Sequence, residues 1–590
     1  EMTLVLAEVL KKSGKDEIDK ICYLLLGELL PPYTGVEFNL AEKMMVRALA
    51  FAYNTDKNKV PRLYKTAGDI GNVAEKLALK KGGGHEKNLR VTDIYNGLLE
   101  VAHESGSGSQ KRKINKISWL LDRLDPLSAK FVTRIPIGKM RLGFSEVTLL
   151  DALSLMEKGD KSARPQIERA FNVTADIGEI AKRAKKGGLI SLKKIRAKPG
   201  VPIRPSLAER LPKLEEVFEK AGPEVGVEQK LDGFRTQIHI WKGSKKKEVR
   251  LFSRNLENTT QMFPEIVGAA KKIKVDSAIL DGETIGYNEK VGKFSPFQET
   301  VQRKRKHNVE EFAQKIPLKI FVFDVLFYEG KSLIELSFRE RRKILEKILS
   351  PLHKNGALQL THQKITSDIN TIKEELAQSL NAGLEGLVIK KLDSPYEAGS
   401  RGFHWIKLKA TSAALGSLRA VPLGRSSPGL GGRAGKEKGR TKILDTTDCL
   451  IMGAYKGRGK RAKFGIGGLL LGIRGKDDRY YSISRLGTGL SDEQFYEIKK
   501  KIGGLRAAER PKEYIVNKDT EPDIWIKPGL VVEILADEIT RSPRHTAGME
   551  NDSRGYSLRF PRLVRFRDDK SPEDATTVKE ITNMYKGQRV

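Results

Sequence analysis

Cysteine is nearly absent. Two residues, Cys22 and Cys449, in a chain of 590 exclude a disulfide framework and a four-cysteine zinc module. The eight histidines are scattered, and no two stand at ligand spacing, which argues against a histidine metal site. No apolar run approaches the ~18 residues of a membrane span, and no signal peptide is apparent. The expectation is a soluble, cytoplasmic protein that meets no membrane. Acids are also in short supply: 75 Asp and Glu face 108 Lys and Arg, a formal net charge of +33. So large an excess repels itself and calls for a polyanionic partner, which nucleic acid fits best. What is present suffices for several cores. Hydrophobic residues make up 39%, and at about 100–200 residues per domain the length predicts three or four domains.

The chain opens Glu1-Met2-Thr3-Leu4-Val5-Leu6-Ala7-Glu8-Val9-Leu10, already at helical periodicity and without a cap, so a fragment lacking part of its first helix is expected. Residues 1–198 read as all-α. Apolar residues recur at three-to-four spacing in Ile18–Leu30, Ala41–Ala52, Asp93–Ala102 and Ile114–Leu124, then in Ser145–Leu155 and Gln166–Ala184. Pro31-Pro32, Gly82-Gly83-Gly84 and Ser105–Ser109 break them. Lys182–Lys198 is dense in bases.

Residues 199–409 change pattern. Gln237–Trp241, Glu248–Ser253, Ala278–Gly286, Lys319–Phe327 and Gly386–Lys391 are short β-rich runs between helices, and Leu333–Leu349 reads as a helix with Ser337 ahead of a charged amphipathic run. This predicts an α+β domain. In residues 410–442, Ala410–Lys442 is rich in Gly, Ser, Pro, Ala and Arg, with Glu437 its single acid; it buries too little to offset its chain entropy and reads as a flexible basic linker. In residues 443–590, Asp448–Tyr455, Gly467–Ile473, Arg479–Leu486 and Leu530–Ala536 suggest a small β-barrel closed by a helix near Thr577–Tyr585.

Chemistry concentrates in Glu228-Gln229-Lys230-Leu231-Asp232-Gly233-Phe234-Arg235. A lysine attacks phosphorus only as the free amine, so its pKa must be lowered by burial or neighbouring cations. Arg235, Lys390 and Lys407, if they converge, would do this and would neutralise a triphosphate. Gly233 permits a tight turn close to a ligand. Taken alone, the run equally describes a strand-end turn with solvated charges.

Other runs follow it in order: Ser253-Arg254-Asn255-Leu256-Glu257, Leu280-Asp281-Gly282-Glu283, Phe321-Val322-Phe323-Asp324, Glu385-Gly386-Leu387-Val388-Ile389-Lys390 and Trp405-Ile406-Lys407-Leu408-Lys409. Together they resemble the ordered motifs of the covalent nucleotidyltransferases, which include ATP-dependent DNA ligases and mRNA capping enzymes. Ser557-Leu558-Arg559-Phe560-Pro561-Arg562, continuing through Arg567-Asp568-Asp569-Lys570, resembles the last motif of archaeal and eukaryotic replicative-type DNA ligases. Gly487-Thr488-Gly489 and Ala536–Thr540 resemble that group's OB-fold domain. Pro202–Ala208 resembles the lead-in to its adenylation domain, and Gly138–Gly143 its helical DNA-binding domain. The resemblance covers nearly the whole chain.

It implies a multidomain ligase: an all-α DNA-binding domain, an α+β adenylation domain and a β-barrel OB-fold domain. Lys230 would carry AMP. Glu228, Arg235 and Arg254 would line the nucleotide pocket, Phe323 would stack on adenine, and Lys390, Arg401, Lys407 and Lys409 would clamp phosphates. Glu283 and Glu385 would hold Mg²⁺, Glu283 also being placed to bind ribose. Arg567 and Lys570 would orient the departing pyrophosphate. The implied reaction is ATP-dependent sealing of a 5′-phosphate to a 3′-hydroxyl at a nick in duplex DNA, in replication, repair and recombination. The implied enzyme is a monomer, with a sliding clamp as a candidate partner. Thr411–Arg440 departs from the family pattern as an insertion. Lys245-Lys246-Lys247, in a hairpin loop, and Arg303-Lys304-Arg305-Lys306 are DNA contacts or solvated charge runs.

Rival readings fit less well. A capping guanylyltransferase or an RNA ligase gives no role to the helical region, and an NAD-dependent ligase would carry zinc-binding cysteines. A catalytically silent scaffold would have no need of Lys230, Glu283, Glu385 and Lys407.

Overall fold

Apolar residues at three-to-four spacing, interrupted by glycine, proline and capping acids, fold the first part of the chain into short helices. The computed structural model describes residues 1–82, 89–211, 214–244, 246–288, 292–351, 356–382, 384–409, 446–457, 464–487, 490, 492–536, 538–549 and 554–587. The Ala410–Lys442 linker with its Thr411–Arg440 insertion lies outside the described residues, as do Gly83, Gly84, Lys245, Thr488, Gly489 and Asp537. The chain divides into two compact units, Glu1–Ala410 and Thr411–Val590.

In the first unit, helices cover Met2–Lys12, Ile18–Leu26, Glu42–Ala52, Lys59–Ala67, Ile70–Lys81, Val91–His103, Ser109–Asp122, Pro126–Arg134, Glu146–Lys158, Arg164–Thr174 and Ile177–Lys193, the last kinked where Gly187 and Gly188 leave the helical backbone. The continuous helix expected over Gln166–Ala184 is two helices. Ala175 takes a left-handed conformation at φ 49°, and Asp176 starts the next helix by accepting a hydrogen bond from Glu179 N. Periodicity alone missed the short helices Lys59–Ala67, Ile70–Lys81 and Pro126–Arg134, although Asp69 and Asp125 cap the last two with their side chains. The helical core, with Leu10, Leu49, Leu121 and Ile180, runs on into Phe327, Tyr396 and Trp405 of the α+β region.

The segment between these regions is pinned by side chains of the Phe234–Lys242 strand. Ile203 N donates to Gln237 Oε1 at 2.9 Å, and Gln237 Nε2 returns a bond to Ile203 O at 3.2 Å. Gly200 N donates to His239 Nδ1 at 3.0 Å, which leaves the ring proton on Nε2, 2.8 Å from Gln237 Oε1. Arg204 N donates to Asn172 O, and its guanidinium pairs with Glu146 at 2.7 Å.

Two sheets follow. One has the strand order Leu207–Arg210, Arg401–Lys409, Gly386–Lys391, Val225–Lys230, Gln363–Thr366. The other runs Lys247–Ser253, Phe234–Lys242, Ser277–Asn288, Leu318–Tyr328, Lys331–Ser332. Ser337 caps the helix Phe338–Leu349 in a box with Glu340. From that helix Arg341 reaches Asp324 with bonds of 2.8 and 3.0 Å, both side chains fully buried, which ties the helix to the Leu318–Tyr328 strand. In the Arg303–Lys306 run Arg303 is buried, while Lys304 and Lys306 stay exposed. Arg303 pairs with Glu265, Lys304 pairs with Glu257, Lys306 pairs with Glu37, and Arg305 stacks on Phe312.

The second unit is built on the strand Thr447–Lys456. Its first half pairs with Val531–Leu535 and its second half with Ile524–Ile526, while its other edge pairs with Ile466–Arg474. Bulges at Ile451/Gly453 and Tyr455/Lys456 let one strand serve these neighbours, and the sheet curls. Both faces are apolar: Cys449, Ile451 and Ala454 enter one core, Leu450, Met452 and Tyr455 another. A helix over Val578–Gly587 follows, where one was expected, and Ile581 is buried. Cys22 and Cys449 are both buried and free; burial, with Asp19 and Asp176 adding, pushes the Cys22 thiol up to about 12. Among the described residues, no helix is long and apolar enough to cross a membrane.

Candidate active site

Register brings distant motifs onto one sheet face, because residues directly opposite in an antiparallel pair project on the same side. Lys230 pairs with Gly386 and that with Lys409; Glu228 pairs with Val388 and that with Lys407; Gly226 pairs with Lys390 and that with Trp405. Lys409 is placed by this register, and its side chain lies outside the described residues. Arg235 and Glu283 are directly paired in the second sheet. Phe323 lies in the Leu318–Tyr328 strand, where a bulge pairs Asp281 with Asp324 and Gly282 with Val322, so that Phe323 is the extra residue. Bulges re-aim side chains in this way next to functional sites. The two sheets meet here: Lys390 Nζ donates to Phe323 O at 3.2 Å, and Phe323 stands edge to face with Trp405 at 5.6 Å.

Gly233 follows Lys230 closely for a steric reason. A Cβ there would lie 2.1 Å from Thr284 O, so the turn is held by backbone approach to the neighbouring strand and not by a ligand alone.

The group in contact with Lys230 Nζ is the carboxylate of Glu385, where neighbouring cations were expected. Arg235 gives two bonds to Asp281, at 3.0 and 2.5 Å, one to Ser206 O at 2.6 Å and one to Tyr396 Oη at 3.0 Å. Its guanidinium lies 5.2 and 5.4 Å from the ring centroids of Trp405 and Phe323. Tyr396 Oη also accepts from Ser206 N and donates to Asp281 Oδ2.

Lys390 takes a different place from the phosphate clamp expected of it. Its side chain is 1% exposed, caged by Phe323, Phe338 and Trp405 and paired with Glu228 at 2.7 Å. Burial holds this lysine below its usual range, with Glu228 and Asp324 opposing. Glu228 also accepts from Gln363 Nε2 at 2.9 Å and faces Arg342. Lys407 Nζ donates to Ala208 O at 3.2 Å. Arg254 is exposed on the turn after its strand, and Arg401 is exposed at the start of its own.

Glu283 is pushed up to about 7. Burial is the cause, opposed by Lys230 and Arg235 and reinforced by Asp281 and Glu385. Glu283 and Glu385 offer hard oxygen donors. Among the described residues no three acidic, histidine or cysteine side chains gather as a metal cage. That donor set fits Mg²⁺ shared with phosphate oxygens and water, the usual manner for this ion.

Arg567 and Lys570 belong to the second unit. Both contact Asp448, Arg567 at 3.0 Å and Lys570 at 2.7 Å. Sequence reasoning passed over Asp448, Tyr396, Gln363, Arg342 and Asp281. Of these, Asp281 carried a signal, standing inside Leu280-Asp281-Gly282-Glu283 as an acid amid apolar strand residues.

Comparison with known proteins gives the family directly. Residues 1–154 match the family model for the DNA ligase N terminus, residues 205–409 the ATP dependent DNA ligase domain, and residues 462–570 the ATP dependent DNA ligase C terminal region. A probable DNA ligase of Dictyoglomus turgidum is 43% identical over 592 residues, covering 100% of this chain and 95% of the relative. A DNA ligase of Saccharolobus solfataricus is 37% identical over 605 residues, covering 100% and 94%. A solved structure designated Pmar-Lig_PreS3 shares the fold with a TM-score of 0.51 at 17% identity, covering 96% of this chain and 99% of that one. The chain belongs to the ATP-dependent DNA ligases, enzymes that seal nicks in duplex DNA.

Proposed function

We propose that Lys230 is the nucleophile of this ligase and that Glu228, Arg235, Glu283, Phe323, Glu385, Lys407 and Lys409 build the pocket in which it is adenylated. The observation that carries this reading is the contact of Lys230 with Glu385, both close enough to Glu283 to act on its charge. An ammonium cannot attack, so the contact must open and Nζ must lose its proton before Lys230 reaches the α-phosphate of ATP. Pyrophosphate then leaves. AMP passes to the 5′-phosphate at the nick, and the 3′-hydroxyl displaces it. Phe323 offers an aromatic face to the purine. Arg235, fixed by Asp281 and Tyr396, lays a charged floor beneath the nucleotide while Lys407 meets phosphate. Lys390 acts from behind, holding Glu228.

Glu283 and Glu385 would hold Mg²⁺, which when bound supplies positive charge to the phosphates as negative charge develops. Arg254 and Arg401 are assigned to the outer rim of the nucleotide and DNA path, where exposed cations meet phosphate. Residues 1–198 form the DNA-binding domain, residues 199–409 the adenylation domain, and residues 443–590 an OB-fold barrel that carries Arg567 and Lys570 to the pyrophosphate. The enzyme acts as a cytoplasmic monomer; a sliding clamp is its candidate partner.

Self-adenylation by ATP across a Mg²⁺ series tests the two glutamates. Glu283→Gln and Glu385→Gln should each raise the Mg²⁺ needed by about tenfold or more. An unchanged Mg²⁺ requirement in both variants would remove the metal assignment.

A further inference from the structure

Arg567 and Lys570 stand three residues apart on a tight turn, with Lys570 N donating to Arg567 O at 3.0 Å. Two cations so close repel, and left alone their flexible side chains would splay. One carboxylate joins them. Asp448 accepts from Arg567 Nη1 at 3.0 and 3.2 Å and from Lys570 Nζ at 2.7 Å. On its other side Arg567 gives Nε and Nη2 to the two oxygens of Asp569, at 2.9 and 2.8 Å. Asp448 itself is fixed. It lies in the Thr447–Lys456 strand, its N donates to Thr576 Oγ1 at 2.9 Å, and its O accepts from Thr576 N. The side chains of Asp448 and Arg567 are 15% and 14% exposed, so solvent screens this pair weakly. Lys570 is more open, at 30%. The other acid near Arg567, Glu533, is 4.0 Å away and bonds Arg565 at 2.7 Å.

We propose that Asp448 is a positioning residue for the first chemical step, clamping Arg567 and Lys570 side by side as a fork for the departing pyrophosphate. The inference rests on the reading of Arg567 and Lys570 given above. In that step the Lys230 Nζ–phosphorus bond forms and the bond from the α-phosphorus to its bridging oxygen breaks. The electron pair leaves with pyrophosphate, and the lysine proton is lost to solvent. Lys570 keeps two of its three N–H groups beyond the bond to Asp448, and the guanidinium, with five, keeps donors outside its two carboxylates. Holding these donors in one geometry removes the ordering cost that two free side chains would pay at the moment of charge development. Asp448 touches neither substrate nor reacting atoms; it acts through its two cations.

Three rates of the full chain separate the roles: self-adenylation against ATP concentration, loss of bound AMP driven by inorganic pyrophosphate, and sealing of a nick that already carries a 5′-adenylate. Asp448→Asn should raise the ATP and pyrophosphate concentrations for half-maximal rate by about tenfold and leave the pre-adenylated nick sealed within about twofold of wild type. Asp448→Glu should recover part of the loss. The proposal is overturned if Asp448→Asn matches wild type in the first two rates. It is equally overturned if all three rates fall together, which would mark a structural role, or if pyrophosphate becomes more effective, which would mark a competing counter-ion. Lys570→Ala distinguishes the layers. Slow self-adenylation there beside a wild-type Asp448→Asn sinks this proposal alone, whereas wild-type self-adenylation in Lys570→Ala sinks the underlying reading.

Discussion

Lys390 Nζ lies 2.7 Å from Glu228 Oε2, and the two side chains are 1% and 3% exposed. A buried ion pair adds little over an apolar pair, but removing one partner strands the other charge. Lys390→Met should therefore cost about 3–5 kcal/mol of unfolding free energy. The double variant Glu228→Gln, Lys390→Met should lose less than the sum of the single losses in a denaturant titration. A lysine serving as a phosphate clamp would instead leave stability unchanged and raise the ATP concentration needed for adenylation.

Gly233 has no room for a side chain. The nearest atom to an added Cβ is Thr284 O at 2.1 Å, a backbone atom in the middle of a sheet that cannot yield cheaply. Gly233→Ala should destabilise the protein by about 1–3 kcal/mol and depress self-adenylation, because Lys230 and Arg235 flank the displaced turn. Calorimetry with a single-turnover adenylation assay checks both; a wild-type melting temperature would refute the steric account.

Tyr396 gathers three bonds at one hydroxyl, from Ser206 N and Arg235 and to Asp281. Tyr396→Phe leaves the Ser206 N–H without its acceptor, while Asp281 Oδ2 keeps the bond from Arg235, at about 1–3 kcal/mol of stability. It also loosens Arg235. The expected signature is a raised KM for ATP in adenylation, with sealing of a pre-adenylated nick much less affected. Equal loss in both would show a structural role alone.

Stability should fall on the acid side through His239. Burial, with Arg250 adding, pushes its imidazole down to about 3, against about 6.5 in the unfolded chain. Between these values the unfolded state binds the proton and the folded state does not, so the folded state is favoured as pH rises. The contribution is complete above pH ~6.5 and is lost as pH falls toward ~3. His239→Gln should flatten the slope of unfolding free energy between pH 6 and 4. An unaltered slope would show that His239 does not titrate on unfolding.

Much of the proposed site was legible because the runs that carry it are local in sequence. Lys230, Glu283, Phe323, Glu385 and Lys407 each stand in a short run to which the proposed reading gives a task, and the helices Glu42–Ala52 and Val91–His103 follow periodicity closely. What was illegible depends on register between strands far apart in the chain. The pairing of Val225–Lys230 with Gly386–Lys391 puts Lys390 beside Glu228 and away from solvent, and no local pattern distinguishes that lysine from a surface one. The same holds for Arg303, which sits within a run of four bases yet is buried against Glu265. Ala175 shows a different limit: its left-handed backbone breaks an apolar periodicity that continues on either side.

Covalent AMP at one lysine is the most direct consequence of the proposed chemistry. Incubating the chain and Lys230→Ala with labelled ATP, GTP and NAD, then separating on a denaturing gel, should give labelled wild-type protein from ATP alone. Pyrophosphate or a nicked duplex should discharge that label, and the alanine variant should carry none. A labelled Lys230→Ala protein, or labelling by GTP in place of ATP, would contradict it.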